Sequence, residues 1–181
     1  DEVYKNIAVS IKDHLNPQTL VDVGCGDGVL MKHLTQLNIT TQGLEGSLTA
    51  RNLLLVPQSL VTTHDLRTPY TTTKKFDVAV SIEVAEHIEP EHADTYLNTL
   101  TKLSDTIYLT AAPPGQAGTG HFNCQPQEYW KQKLSSKGYS YCPTITEQLK
   151  QQQKISTMKN GSYLHKNLMV FKRGDAECAE S

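Results

Sequence analysis

Glu83, Glu86 and His87 stand at i, i+3 and i+4 in the segment Ser81-Ile82-Glu83-Val84-Ala85-Glu86-His87-Ile88. On a single helical turn, residues at that spacing share one face. Two carboxylates and an imidazole gathered there repel and desolvate one another unless something positive lies between them. Their oxygen and nitrogen donors suit Mg²⁺, Mn²⁺ or Fe²⁺, with coordination positions left open for a substrate, better than structural zinc. His121 is the fourth candidate ligand, in the glycine-rich stretch Pro113-Pro114-Gly115-Gln116-Ala117-Gly118-Thr119-Gly120-His121. A metal on these four residues would activate and orient a hydroxyl nucleophile. Without a metal, His87 or His121 is the candidate general base.

A second constellation precedes this one. Val21-Asp22-Val23-Gly24-Cys25-Gly26-Asp27-Gly28 joins an apolar run to a helical pattern. Glycines at such a junction let the backbone turn sharply and pass close to a ligand. The spacing is not that of dinucleotide-binding folds, whose third glycine comes one residue later. Glu45 lies 21 residues after Gly24 and is followed by Gly46 and Ser47. An ionised carboxylate there accepts from both hydroxyls of a ribose. Asp65 and Leu66 follow the next apolar run, where the acid can accept from an adenine amino group while the leucine packs on the ring.

These residues need a scaffold that brings several chain segments to one edge. Apolar runs at 19–23, 40–44, 60–63, 76–82, 106–111, 139–142 and 168–171 read as strands. Helical patterns occupy 3–15, 27–37, 48–55, 92–103 and 127–136. Alternating strands and helices predict an α/β fold with a mostly parallel sheet covered on both faces. The last two strands are joined by polar residues 143–166, compatible with an antiparallel edge pair, and Gln148–Lys154 reads as a solvated helix or loop. In such a sheet the strand carboxyl ends face one crevice, so His121 can approach His87. Residues 1–173 are expected to form one domain and 174–181 a flexible tail.

Composition sets the class. The 181 residues are 38 % hydrophobic and 20 % charged, as in a soluble globular domain. No stretch has the length of a membrane span. Cys25, Cys124, Cys142 and Cys178 form no C-x-x-C pair or zinc spacing, so free thiols and a cytoplasmic location are expected. The chain opens on Asp1 without a Met, as expected of one domain of a larger polypeptide or of a processed product. Residues 1–130 hold 8 Lys/Arg against 15 Asp/Glu, whereas 131–173 hold 9 Lys/Arg and only Glu147. The positive third suggests an anionic acceptor; a solvated lysine-rich face explains it as well.

Taken in order, Asp22–Gly28, Glu45, Asp65 and Phe76-Asp77-Val78-Ala79-Val80 resemble the successive motifs of class I S-adenosylmethionine (SAM)-dependent methyltransferases. The resemblance covers roughly residues 19–111. It implies a Rossmann-like, seven-stranded, mostly parallel sheet with an antiparallel last strand, and SAM as cofactor. It places the methionine part near Gly24, Cys25, Gly26 and Asp27 and around Ser81 and Ile82. The Glu-x-x-Glu-His segment with the later His121 resembles metal-dependent O-methyltransferases. These include enzymes acting on small-RNA 3′ ends and on catechols; the same segment also occurs in class I methyltransferases that use no metal. The segment is loosely similar to methyltransferase modules of large-virus glycan-assembly enzymes, which methylate deoxyhexoses such as rhamnose. Asn123, Gln125 and Gln127 are polar enough to bind acceptor hydroxyls. Tyr129 or Trp130 could stack on a sugar, although Trp130 reads better as core. The expected function is O-methylation of a sugar hydroxyl on a glycan or nucleotide-sugar. The alternatives are RNA ribose 2′-O-methylation and a SAM-binding scaffold without catalysis.

Overall fold

The structure, a computed structural model, describes residues 1–159, 161–174 and 178. Its elements are α1 (Glu2–Leu15), β1 (Thr19–Val23), α2 (Val29–Gln36), β2 (Thr40–Glu45), α3 (Leu48–Arg51), β3 (Val61–Thr63), β4 (Val78–Ile82), α4 (Ala93–Leu103), β5 (Thr106–Thr110), α5 (Gln127–Ser135), β6 (Tyr139–Tyr141), α6 (Pro143–Gln153), α7 (Ser162–Asn167) and β7 (Met169–Arg173). The strands form one seven-stranded sheet in the order β3-β2-β1-β4-β5-β7-β6. β7 runs antiparallel to both β5 and β6, and the other pairs are parallel. The expected fold class is therefore the observed one.

Successive strand side chains go to opposite faces. Val21, Ala79, Ile107, Leu109, Met169 and Phe171 enter one apolar layer with Tyr96 and Leu100 of α4 and Trp130 and Leu134 of α5. Leu20, Val78, Val80, Tyr108 and Val170 enter the other, against Ile7, Ile11, Leu30, Leu34, Leu149 and Leu164. Each central strand is covered twice, which explains its near-continuous apolar sequence. Among the described residues, no helix is long and apolar enough to cross a membrane.

The polar connection 143–166 was underestimated in sequence. Residues 143–153 form α6, which packs along α1. Gln153 is fully buried and donates to Ser10 Oγ and Tyr108 Oη, so the expected solvated helix is exposed on one face only, at Gln148, Gln151 and Lys154. Its apolar stripe is too narrow to detect, because hydrogen bonds replace part of the greasy contact. The four-thiol expectation also needs correction. Cys142 and Cys178 form a disulfide with Cα atoms 4.5 Å apart, while Cys25 and Cys124 are free. The partners are 36 residues apart, a separation carrying no spacing signal, and the pairing removes the support that free thiols lent to a cytoplasmic location. Of the expected tail, residues 175–177 and 179–181 lie outside the described residues.

Candidate active site

The ends of β1, β2, β3 and β4 converge where the strand order reverses between β1 and β4, the usual crevice of an open α/β sheet. Gly24 turns the chain out of β1 at φ +79°, and a Cβ there would lie 2.5 Å from Cγ2 of Val84. Both features demand glycine. Gly24→Ala is therefore expected to lower the melting temperature by several degrees and to weaken cofactor binding, read by thermal unfolding with and without SAM.

Two clefts meet at this point. One, of about 240 Å³, is lined by Tyr4, Asp22, Gly24, Cys25, Gly26, Asp27, Ile82 and Glu83, among others. The other, of about 390 Å³, is lined by Gly24, Glu45, Gly46, Ser47, His64, Asp65, Leu66, Glu83, Val84, His87 and Ile88. Gly24 and Glu83 belong to both, so the junction lies between them. Neither lining contains a Lys or Arg. Acids without cations suit a positively charged ligand and oppose a pyrophosphate.

Most of the expected cofactor residues line these clefts; Ser81 does not. It is fully buried, donates to the Val23 carbonyl at 2.8 Å and accepts from Tyr96 Oη at 2.8 Å. It ties β4 to β1 from behind, and Ile82, pointing the other way along the strand, takes the cleft position. Asp22 is buried, and burial, with repulsion from Glu45 and Asp27, pushes its carboxyl up to about 7. Glu45 accepts from the backbone N–H groups of Gly26 at 2.8 Å and Ser47 at 2.6 Å, which fixes its carboxylate at the seam of the glycine turn. Asp65 lines the larger cleft but is clasped by Arg67, whose Nε and Nη2 donate at 2.9 and 2.8 Å. That arginine holds its carboxyl down at about 2. On the assignment of Glu45 to a ribose, Glu45→Ala is expected to weaken SAM binding by about 10- to 100-fold in calorimetry, from the loss of charge-assisted bonds. An unchanged affinity would remove Glu45 from the cofactor site.

At the acceptor end, Glu86, His87 and His121 offer ligand atoms within 4.8 Å of one another. Glu83 departs from the expected shared helical face. The helical turn here is a short 3₁₀ segment over Ala85–His87, and Glu83 precedes it at φ +51°. That left-handed residue breaks the i, i+3 relation. Its N–H donates to Thr110 Oγ1, while its carboxylate accepts from Gln116 Nε2 at 2.7 Å and Asn167 Nδ2 at 3.0 Å. Glu86 is fully buried and neither of its carboxylate oxygens has a hydrogen-bond partner. Burial first, then the neighbouring Glu83, pushes its carboxyl up to about 8.

The two imidazoles meet edge-on, their centroids 4.9 Å apart. Nδ1 of His87 faces the Gly120 carbonyl at 2.9 Å, and Nδ1 of His121 faces the Gln116 carbonyl at 3.1 Å. A carbonyl only accepts, so each Nδ1 donates, and in the neutral ring the lone pair is left on Nε2. The loop is clamped to the acidic segment by the N–H groups of Phe122 and Asn123, which donate to the Glu86 carbonyl at 2.8 and 3.0 Å. A Cβ on Gly118 would overlap the His121 ring, so glycine at 118 leaves that ring its room. Trp130 is fully buried, as expected of a core residue.

Sequence reading missed Tyr4, Gln116 and Asn167. Tyr4 reaches the smaller cleft from α1, and Asn167 reaches Glu83 across 84 residues. Neither belongs to a motif, and nothing local in the chain marks them.

A family described as a methyltransferase domain matches residues 5–117. No curated protein is significantly similar in sequence. Among solved structures, the methyltransferase domain of the bacterial protein CtHen1-C superposes with a TM-score of 0.68 at 18 % identity, over 97 % of this chain and 100 % of that one. The sugar N-methyltransferase KedS8 from Streptoalloteichus gives 0.68 at 13 % identity, over 97 % and 89 %. The small RNA methyltransferase HEN1 gives 0.64 at 15 % identity, with 94 % of this chain covering 25 % of that one. At these identities the likeness is one of fold.

Proposed function

The chain belongs to the methyltransferase domain family, whose methyl donor is SAM, and from that premise we propose that it methylates a hydroxyl of a sugar ring, on a glycan or nucleotide-sugar such as one bearing rhamnose. The observation that carries the choice of oxygen is Glu86, a fully buried carboxylate without partners, gathered with His87 and His121. Burial holds this carboxyl neutral, and a cation placed between it and the two imidazoles would let it ionise. The donors present, one carboxylate and two imidazoles, fit Fe²⁺ or Mn²⁺ better than Mg²⁺, which prefers oxygen ligands. Glu86, His87 and His121 would hold the ion, and Glu83 joins them only by leaving Gln116 and Asn167. When bound, such an ion grips neighbouring hydroxyls and lowers the pKa of the one to be methylated.

The rest is positioning by the chain's own groups. SAM carries a sulfonium and an ammonium, both matched to clefts lined by acids. Glu45 would hold the ribose hydroxyls and Leu66 and Asp65 the adenine in the larger cleft, and Asp22 would take the ammonium in the smaller one. Glu83, which lines both clefts, would stand beside the sulfonium, with His87 and His121 on the acceptor side. Transfer is an in-line displacement: the acceptor oxygen bonds to the methyl carbon as the carbon–sulfur bond breaks, leaving neutral thioether. With the ion bound, the Nε2 atoms of both histidines would be its ligands and the hydroxyl proton would leave to solvent; without it, Nε2 of His87 or His121 would accept the proton.

A second reading, methylation of an RNA ribose 2′-hydroxyl, is supported by the HEN1-like fold and shares the same gripped hydroxyl pair. Against it, at least four of the nine positive side chains of residues 131–173 are paired with acids. Lys133 and Lys137 share Asp94, Lys150 pairs with Glu147, and Arg173 with Asp105. Methyl transfer from labelled SAM to a panel of glycosides and short RNAs, with and without EDTA, separates the readings. The expected result is transfer to glycosides that chelation abolishes; transfer to RNA alone would overturn the sugar assignment.

A further inference from the structure

Four large apolar side chains are strongly exposed: Leu48, Leu53, Leu55 and Phe122. The three leucines surround α3, beyond the cofactor clefts. Phe122 is different. It is 63 % exposed, yet it sits between His121 and Asn123 in a loop held rigidly to Glu86 by two backbone hydrogen bonds. A side-chain carbon placed on Gly120 would stand 3.5 Å from Nδ1 of His87 and 3.8 Å from the Phe122 ring. The ring and the imidazole thus flank one backbone position. Of the other aromatics near this loop, Trp130 is fully buried and Tyr129 packs on the core, while Tyr163 is partly buried and feels the charges of Glu83 and Glu86.

An aromatic ring kept in water costs free energy, and the clamp leaves it no route to burial within the chain. It lies beside the groups proposed to hold the acceptor hydroxyl. We propose that Phe122 is the acceptor platform, on which the apolar C–H face of a sugar ring stacks while a hydroxyl at its edge reaches the His87–His121 pair. The proposal rests on the reading of function given above. A ring face of this kind has its hydroxyls around the rim and C–H groups across the flat side. Aromatic stacking therefore selects the face, and the histidine pair selects the hydroxyl. Phe122 would act on specificity and leave the chemistry of transfer to other groups.

The test uses two variants and two independent readings. Phe122→Trp places the one exposed indole of the protein at this position, because Trp130 is fully buried. Titration of that variant with methyl α-L-rhamnopyranoside, in the presence of S-adenosylhomocysteine so that no transfer occurs, is expected to give a saturable fluorescence change. Phe122→Ala is expected to raise KM for the same glycoside about tenfold, with kcat and SAM affinity within about twofold, and Phe122→Trp to restore KM. A rhamnoside titration without fluorescence change, or an unchanged KM in the alanine variant, would overturn the platform. So would a fluorescence change seen only with a short RNA. Failure of the wild-type protein to bind SAM would instead sink the functional reading beneath it, and calorimetry reports that separately.

Discussion

Asp22→Asn is expected to make the ligand-free protein more stable than wild type at pH 8 and at the same time to cost it about 100-fold or more in SAM affinity. The reasoning starts from burial. Asp22 sits at the end of β1 with its carboxyl pushed up to about 7, chiefly by desolvation and then by Glu45 and Asp27. In the unfolded chain it ionises near its ordinary 3.8. Its folded pKa is raised, so its contribution to stability is full below the unfolded value and is lost as pH rises through the folded one. Between pH 5 and pH 8 that loss is on the order of 3 kcal/mol. Asparagine keeps the shape without the charge and removes the slope. Glu86 adds a slope of the same sign, and His33 and His165, both held down by desolvation, add slopes of the opposite sign. All of these are common to both proteins and cancel in the comparison. Urea unfolding at pH 5 and pH 8 measures the difference. SAM reverses the sign, because its ammonium needs the ionised carboxylate. Wild-type affinity should accordingly fall as pH drops from 7 to 5, by up to about tenfold per unit. A variant that binds SAM like wild type would show that the ammonium goes elsewhere.

Glu86→Gln should lower methyl transfer by at least about 100-fold while leaving SAM affinity unchanged, because the residue stands on the acceptor side of the junction. Mn²⁺ binding, followed by electron paramagnetic resonance, should disappear in the same variant and in His87→Ala. Stability should move the other way. An uncompensated buried carboxylate opposes folding once ionised, so the glutamine variant is expected to be no less stable than wild type at pH 8 or above. EDTA should inactivate the wild-type enzyme, with Mn²⁺ restoring it. Activity that survives exhaustive chelation would rule out the metal and leave Nε2 of His87 or His121 as the base. In that event Glu86→Gln would still separate a direct electrostatic role from a structural one, since only the former spares SAM binding.

Asp22 and Glu86 share a logic. Each is an acid buried at a strand end or just past it, and burial pushes each carboxyl well above the ordinary carboxylate range. Protein stability is diminished at both positions in the range where the proposed ligands bind. A domain of this size has a net stability of only about 5–15 kcal/mol, so two such positions matter. Ligand binding should therefore raise the melting temperature more at pH 8 than at pH 6.

The linear sequence by itself determined the sheet and one edge of it. Short apolar runs with glycine and acidic residues at their ends suffice, because local turn chemistry and strand burial are set by near neighbours. Gly24, Glu45 and Asp65 were legible for that reason, as was the association of His87 with His121 through strands β4 and β5. Only the tertiary structure decided the rest. A left-handed backbone at Glu83, fixed by Thr110 on the neighbouring strand, took it off the helical turn that carries Glu86 and gave its carboxylate to Gln116 and Asn167. Ser81 turned inward because the alternation of β4 assigns it to the Val23 and Tyr96 side. Tyr4 entered the cofactor cleft from the first helix, α6 closed over α1, and Cys142 met Cys178. Each of these depends on contacts between residues far apart in the chain, whose partners are chosen by packing and hydrogen-bond satisfaction across elements rather than by any local pattern.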